Sequence, residues 1–201
     1  MGRTDATITR EKILKAAEDC FSAGGFDGTG IEKVSEAAGV NKSLIYYHFK
    51  NKEGLLLALY EQVIGEIKIL VNQSFKQSSS DMPNAMIPSL RGILGFLKKK
   101  RNLMKILMME ALKGGESNRV FLEMAEYVMK DELGQLTGEE HEKFQDNPSY
   151  FLIYEFFTGF MPIYSYAVFS DNWPEYFGID NEKMEEYFME SFMKSHLSHH
   201  H

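Results

Sequence analysis

Three lysines, two tyrosines, a histidine and a serine fall between Lys42 and Lys52, and the stretch from Gly39 to Lys52 contains no acid. Ammonium groups, hydroxyls and an imidazole at this density donate hydrogen bonds to phosphate oxygens or base edges. That is the chemistry of contact with a polyanion. The residue patterns of catalysis are missing: the sequence has no Gly-rich phosphate loop, no Cys-x-x-Cys pair, no Gly-x-Ser-x-Gly elbow and no His-Glu-x-x-His zinc motif. The chain therefore does not read as an enzyme, and no cofactor or metal is expected. Glu139, Glu140, His141 and Glu142 have ligand residue types, but in a polar stretch they read as solvated charge. The one cysteine, Cys20, falls on an apolar helical stripe and reads as inert core, and a lone thiol fits a reducing cytoplasm.

The elements that must position the basic cluster are helices. Ile13, Ala16, Ala17, Cys20 and Phe21 follow the spacing of one helix face, with Thr9 as expected N-cap and Gly24-Gly25 as the stop. A second helix is predicted over residues 31–38, burying Ile31, Val34 and Ala38, and Gly39 is placed to end it in the left-handed conformation. A third starts after Asn41 as N-cap and reaches about His48, and a long amphipathic one runs from Asn51 to about Phe75. Further helices are predicted over 85–100, 102–113, 117–136, 149–169 and 181–196, with loops at 77–83, 114–115, 137–148 and 171–178. Strand alternation is absent, so the fold class is all-α, with about nine helices. The residues from Tyr150 to Phe169 are long enough to span a bilayer, but Glu155 lies inside them and no basic flank sets an orientation; they read as a buried helix, and no membrane partner is expected.

The second and third helices, with Gly39-Val40-Asn41 between them, have the form of a helix-turn-helix. Small Ala37 and Ala38 and a permissive Gly39 suit two helices that cross steeply, and the third helix can then present its N-terminal side chains to the major groove. The charge distribution agrees. The formal net charge is −7, yet residues 1–54 hold eight bases and eight acids, so the excess acid lies in the remainder and discourages it from adhering to DNA.

Thr9, Ile13, Ala16-Ala17, Phe21, Gly24, Val34, Ala38-Gly39-Val40, and above all the run from Leu44 to Glu53 with Leu55, resemble the TetR family of bacterial transcriptional regulators over about residues 9–56. The resemblance implies a DNA-binding domain over residues 1–52 and a helical ligand-binding and dimerisation domain over 53–197. Residues 198–201 read as the remnant of a purification tag. It places Lys42, Ser43 and Leu44 on base edges. Tyr46, Tyr47, His48 and Lys52 are placed on phosphates. Where the family usually has Thr at the start of the second helix, this chain has Gly30 preceded by Thr29, and a phosphate contact is expected from these two.

The resemblance further implies a cytoplasmic repressor that binds a palindromic double-stranded operator as a homodimer and is released by a small hydrophobic effector. Its alternative is a DNA-binding regulator with no small ligand, controlled by a protein partner. Soft and aromatic side chains are the candidates for an effector pocket: Met104, Met108, Phe121, Met124, Tyr154, Phe157 and Met161, with Glu155 as an acid that needs a partner in so apolar a helix. Phe151, Tyr166, Phe169, Met184, Tyr187, Phe188 and Phe192 are the candidates for the dimer interface.

Overall fold

A computed structural model of the chain describes residues 3–76, 82–133 and 146–196, and all regular structure among them is helical. In chain order these are α1 (Arg3–Gly24), α2 (Ile31–Ala38), α3 (Lys42–Phe49), α4 (Lys52–Lys76), α5 (Met82–Lys99), α6 (Arg101–Leu112) and α7 (Gly115–Leu133). They continue as α8 (Pro148–Glu155), a π-helical turn (Phe156–Phe160), α9 (Met161–Phe169), α10 (Asn172–Phe177) and α11 (Asn181–Ser195). The expected loop at 77–81, the acidic run from Glu139 to Glu142 and residues 198–201 lie outside the described residues.

Two local expectations are corrected. Thr9 does not cap α1, which already begins at Arg3; neither Gly nor Pro interrupts residues 3–23, so nothing stops the helix from extending backwards. The segment from Asp171 to Gly178, read as turn, contains α10. Its Pro174 sits in the first helical turn, where no intrahelical N–H bond is lost, and Gly178 closes it at φ 64°.

The chain forms two compact units, Met1–Glu66 with Asn102–Phe121, and Ile67–Arg101 with Leu122–His201. In the first, Ile13, Ala17, Phe21, Val34, Ile45 and Leu55 are wholly buried, and each large side chain among them contributes about 1.5–3 kcal/mol of burial. In the second, Leu90 and Leu94 of α5 pack with Tyr166 of α9 and with Met189 and Phe192 of α11. Phe188 stacks on Tyr166 with ring centroids 4.2 Å apart. Glu185 accepts from Lys98 at 2.5 Å and so ties α11 to α5.

The rod from Pro148 to Phe169 is one continuous helix that changes pitch. Pro162 has no N–H and its ring would crowd the carbonyl four residues back, and the wider turn just before it relieves that conflict. No helix among the described residues is long and apolar enough to cross a membrane. This rod buries Phe151, Glu155, Phe160 and Tyr164 on one side and leaves Ile153, Phe157 and Phe169 exposed on others.

Candidate nucleic-acid interface

The turn between α2 and α3 is closed at both ends by the residues the sequence supplies for it. Gly39 adopts φ 64°; its N–H donates to the Glu36 carbonyl at 3.1 Å, and the Val40 N–H donates to the Ser35 carbonyl at 3.0 Å. This is a Schellman closure, which satisfies carbonyls that the end of a helix leaves open. Two residues on, the Asn41 side chain accepts from the Ser43 N–H at 2.9 Å and caps α3. Ile45 and Phe49, one turn apart, face the core, while Lys42, Ser43, Tyr46 and Tyr47 stand outward. Leu44 and His48 are half-buried at the flanks, and the Tyr47 ring, 79% exposed, meets the His48 ring edge-on at 5.1 Å.

The connection from α3 to α4 is tighter. Lys50 has φ 67° and ψ −50°, and the Asn51 N–H donates to the Phe49 carbonyl at 2.8 Å, so Lys50 is the centre of a γ-turn in a strained conformation. The Asn51 side chain accepts from the Gly54 N–H at 2.7 Å and caps α4. A Cβ on Gly54 would collide with the Phe49 carbonyl oxygen, so only glycine fits this close return. Residue types along the chain point to neither Gly54 nor the strain at Lys50. Two adjacent helices with just Lys50 and Asn51 between them were the available signal.

Two placements, those of Thr29 and Lys52, differ from expectation. Thr29 is wholly buried and its hydroxyl donates to the Cys20 carbonyl at 3.1 Å, closing the loop between α1 and α2; in this position it does not face a phosphate. Gly30 is exposed at the N-cap of α2 with extended backbone, so the N–H groups that follow it remain at the surface end of that helix. Lys52 is half-buried: its ammonium donates to the Phe26 carbonyl at 3.0 Å and lies 4.3 Å from the Phe26 ring centroid, tying the start of α4 to the loop before α2. Lys42 is exposed and forms a 3.5 Å ion pair with Glu32 of α2. Backbone hydrogen bonding at the start of α2, and then Lys42, hold the Glu32 carboxyl below its ordinary pKa. Solvent screens an exposed pair of this kind, so Lys42 can leave it for another acceptor at small cost.

The effector candidates are distributed over both compact units. Met104 and Phe121 are core residues of the first unit and Met108 is half-buried there; Met124 is a core residue of the second. Phe157, 66% exposed, points out of the rod and does not line an interior pocket. Tyr154, Glu155 and the half-buried Met161 also belong to the second unit. The acid that needed a partner has one: Glu155 Oε2 lies 3.3 Å from His196 Nε2, with both side chains almost wholly buried. His196 continues the Met184, Phe188 and Phe192 stripe of α11 at four-residue spacing, and that periodicity is the signal in the sequence for its burial. Burial also raises the Tyr164 phenol far above its ordinary pKa and keeps it neutral.

The interface candidates divide by exposure. Phe151, Tyr166 and Phe192 are buried within the protomer, whereas Phe169 and Tyr187 are exposed and Met184 and Phe188 half-buried. Tyr166, Phe169, Met184, Tyr187 and Phe188 border one apolar groove of about 450 Å³, together with Trp173. Trp173, Tyr176 and Phe177 of α10 extend the exposed aromatic surface, as do Tyr150 and Ile153 of α8.

Comparison with known proteins agrees with the helix-turn-helix geometry. Residues 13–59 match the family of bacterial regulatory proteins, tetR family. The HTH-type transcriptional repressor AcnR of Corynebacterium glutamicum is 30% identical over 88 residues, 44% of this chain and 42% of that protein. The HTH-type transcriptional regulator RutR of Escherichia coli is 43% identical over 63 residues, 31% of this chain and 30% of that protein. The chain thus spans less than half the length of these curated relatives. A solved transcriptional regulator from Aquifex aeolicus has a similar fold, with a TM-score of 0.63 at 19% identity over 91% of this chain and 96% of that one.

Proposed function

We propose, from the match of residues 13–59 to the tetR family of bacterial regulatory proteins, that the chain is a sequence-specific DNA-binding transcriptional regulator, a repressor that an apolar or aromatic small molecule releases from a palindromic operator. The observation that carries this reading is the outward face of α3. Lys42, Ser43, Tyr46 and Tyr47 are exposed together on a short helix that Ile45 and Phe49 anchor from behind and Asn41 caps in front. A capped helix with exposed side-chain donors at its N-terminal end suits a major groove. Lys42 donates to guanine O6 or N7, Ser43 and Leu44 meet neighbouring base edges, and Tyr46, Tyr47 and His48 contact phosphates. The amides after Gly30 take one more phosphate. Lys52 acts by holding the start of α4 against the loop that carries Phe26.

One recognition helix makes too few base contacts for useful discrimination, so two copies read two half-sites. The exposed aromatics Phe169 and Tyr187 and the groove they border are the apolar surface offered for that pairing. The same exposed surface, with Trp173, Tyr176 and Phe177, also suits the second reading, control by a protein partner without any small ligand.

The test is selection of bound duplexes from a random pool, followed by titration of the selected sequence and its single-base variants. Lys42→Ala is expected to remove about 1–3 kcal/mol of preference at one base position. Tyr47→Ala is expected to weaken all sequences alike. Equal effects of both substitutions on every sequence would remove Lys42 from the base-reading set, and absence of duplex binding at low ionic strength would end the reading.

A further inference from the structure

The buried cluster around Glu155 has the form of an occupied binding site. The His196 imidazole follows the last residue of α11 and is inserted into the second unit's interior, 1% exposed. The Tyr154 ring, stacked at 5.8 Å, and the Phe192 ring, at 4.9 Å, pack against it. Its Nε2 meets Glu155 Oε2 at 3.3 Å and its Nδ1 meets Thr158 Oγ1 at 3.0 Å, so both ring nitrogens have polar partners. The Thr158 hydroxyl is itself oriented by a 2.7 Å hydrogen bond to the Tyr154 carbonyl, and the Tyr154 hydroxyl donates to the His196 carbonyl at 3.2 Å.

The backbone around the ring is shaped for it. Gly159 lies in the π-helical turn, and a Cβ there would come within 2.9 Å of His196 Cε1 and of Glu155 Oε2. Widened turns of this kind occur where a helix accommodates a ligand or a functional side chain. Aromatic walls, a carboxylate at one nitrogen, a hydroxyl at the other and a glycine floor are what a protein needs to bind a small planar nitrogen base.

We propose that this cradle is the effector site and that His196 fills it as a built-in ligand, to be displaced by an effector carrying an imidazole, amidine or similar planar nitrogen group on an apolar body. The proposal rests on the effector-released repressor reading given above and names the chemistry of its ligand. Displacement puts the effector's ring over Gly159 in place of the His196 ring and frees the end of α11, so α11 is the element that responds.

The experiment uses the full chain and imidazole itself as probe. His196→Ala is expected to lower the thermal midpoint by roughly 10 °C, because it leaves the Glu155 carboxylate buried beside a void. Imidazole should then raise the midpoint of His196→Ala saturably, as a ligand of the native state does, and leave wild type and the Glu155→Gln/His196→Ala double variant unmoved. If His196→Ala does not fold, His196→Asn takes its place and imidazole is replaced by formamidine. Equal shifts in wild type and variant, or in single and double variants, overturn the site.

A second arm follows fluorescence anisotropy of a selected duplex. His196→Ala, in which the end of α11 is free as in the effector-bound chain, should bind it about 5- to 150-fold more weakly than wild type does, the usual range of allosteric coupling. Thermal rescue with unchanged duplex affinity overturns the effector assignment, whereas a wild-type chain that binds no duplex fails the repressor reading without touching the thermal result.

Discussion

At the scale of single residues, the sharpest constraints are steric. Gly54 faces the Phe49 carbonyl so closely that no side chain fits, and the clashing atom is backbone, which cannot step aside. Gly54→Ala is therefore expected to lower stability by several kcal/mol, on the order of 3, or to prevent α4 from starting where it does; urea unfolding and circular dichroism check this. Lys50 illustrates the opposite sign. It holds φ 67° with ψ −50°, a conformation unfavourable for any residue with a Cβ, so Lys50→Gly should stabilise the chain by about 0.5–1 kcal/mol in the same measurement. A Lys50→Gly variant of unchanged or lower stability would show that the strain is absent or that the lysine side chain offsets it. Both residues lie within the stretch whose resemblance to the family was recognised from side-chain types, yet their roles come from backbone geometry.

At the scale of elements, the helix-turn-helix was legible because its signals are local. Gly39 ends α2, Asn41 begins α3, and Ile45 with Phe49 gives α3 its inner face; each acts within about one helical turn of its own position. Asn41→Ala removes the cap on the Ser43 N–H and should cost about 1 kcal/mol of stability. If α3 is the recognition helix, the same substitution weakens duplex binding through a frayed N-terminus, whereas a cap substitution at the start of α11, Asp180→Ala, costs similar stability and leaves duplex affinity unchanged. Asp180 accepts from the Glu182 and Lys183 N–H groups, so the two caps are comparable. The π-helical turn was not legible: Pro162 announces a conflict in the rod, but a kink, a break and a widened turn all relieve it.

At the scale of the whole molecule, the uneven charge and the exposed aromatics set the behaviour to be measured. Phe169→Glu with Tyr187→Glu places carboxylates on a surface exposed in the protomer, so thermal stability of the isolated chain should change little. If the groove they border is the pairing face, sedimentation should show monomers and duplex affinity should fall together with dimerisation; dimers that persist would move the interface elsewhere. What the amino-acid sequence determined by itself is the set of short-range features: helical periodicity, caps, glycine turns, and an uncharged-to-basic stretch on an otherwise acidic chain. Tertiary structure decided which polar groups are committed inside the fold. Thr29 and Lys52 have the residue types of phosphate contacts, but in the fold the Thr29 hydroxyl donates to the Cys20 carbonyl and the Lys52 ammonium lies on the Phe26 carbonyl and ring, while the partner of Glu155 is His196, from the end of α11. The physical reason is common to all three. A buried donor or charge must be satisfied, but the group that satisfies it is chosen by proximity in space, and residue types along the chain carry no record of which carbonyl or ring the fold will bring there.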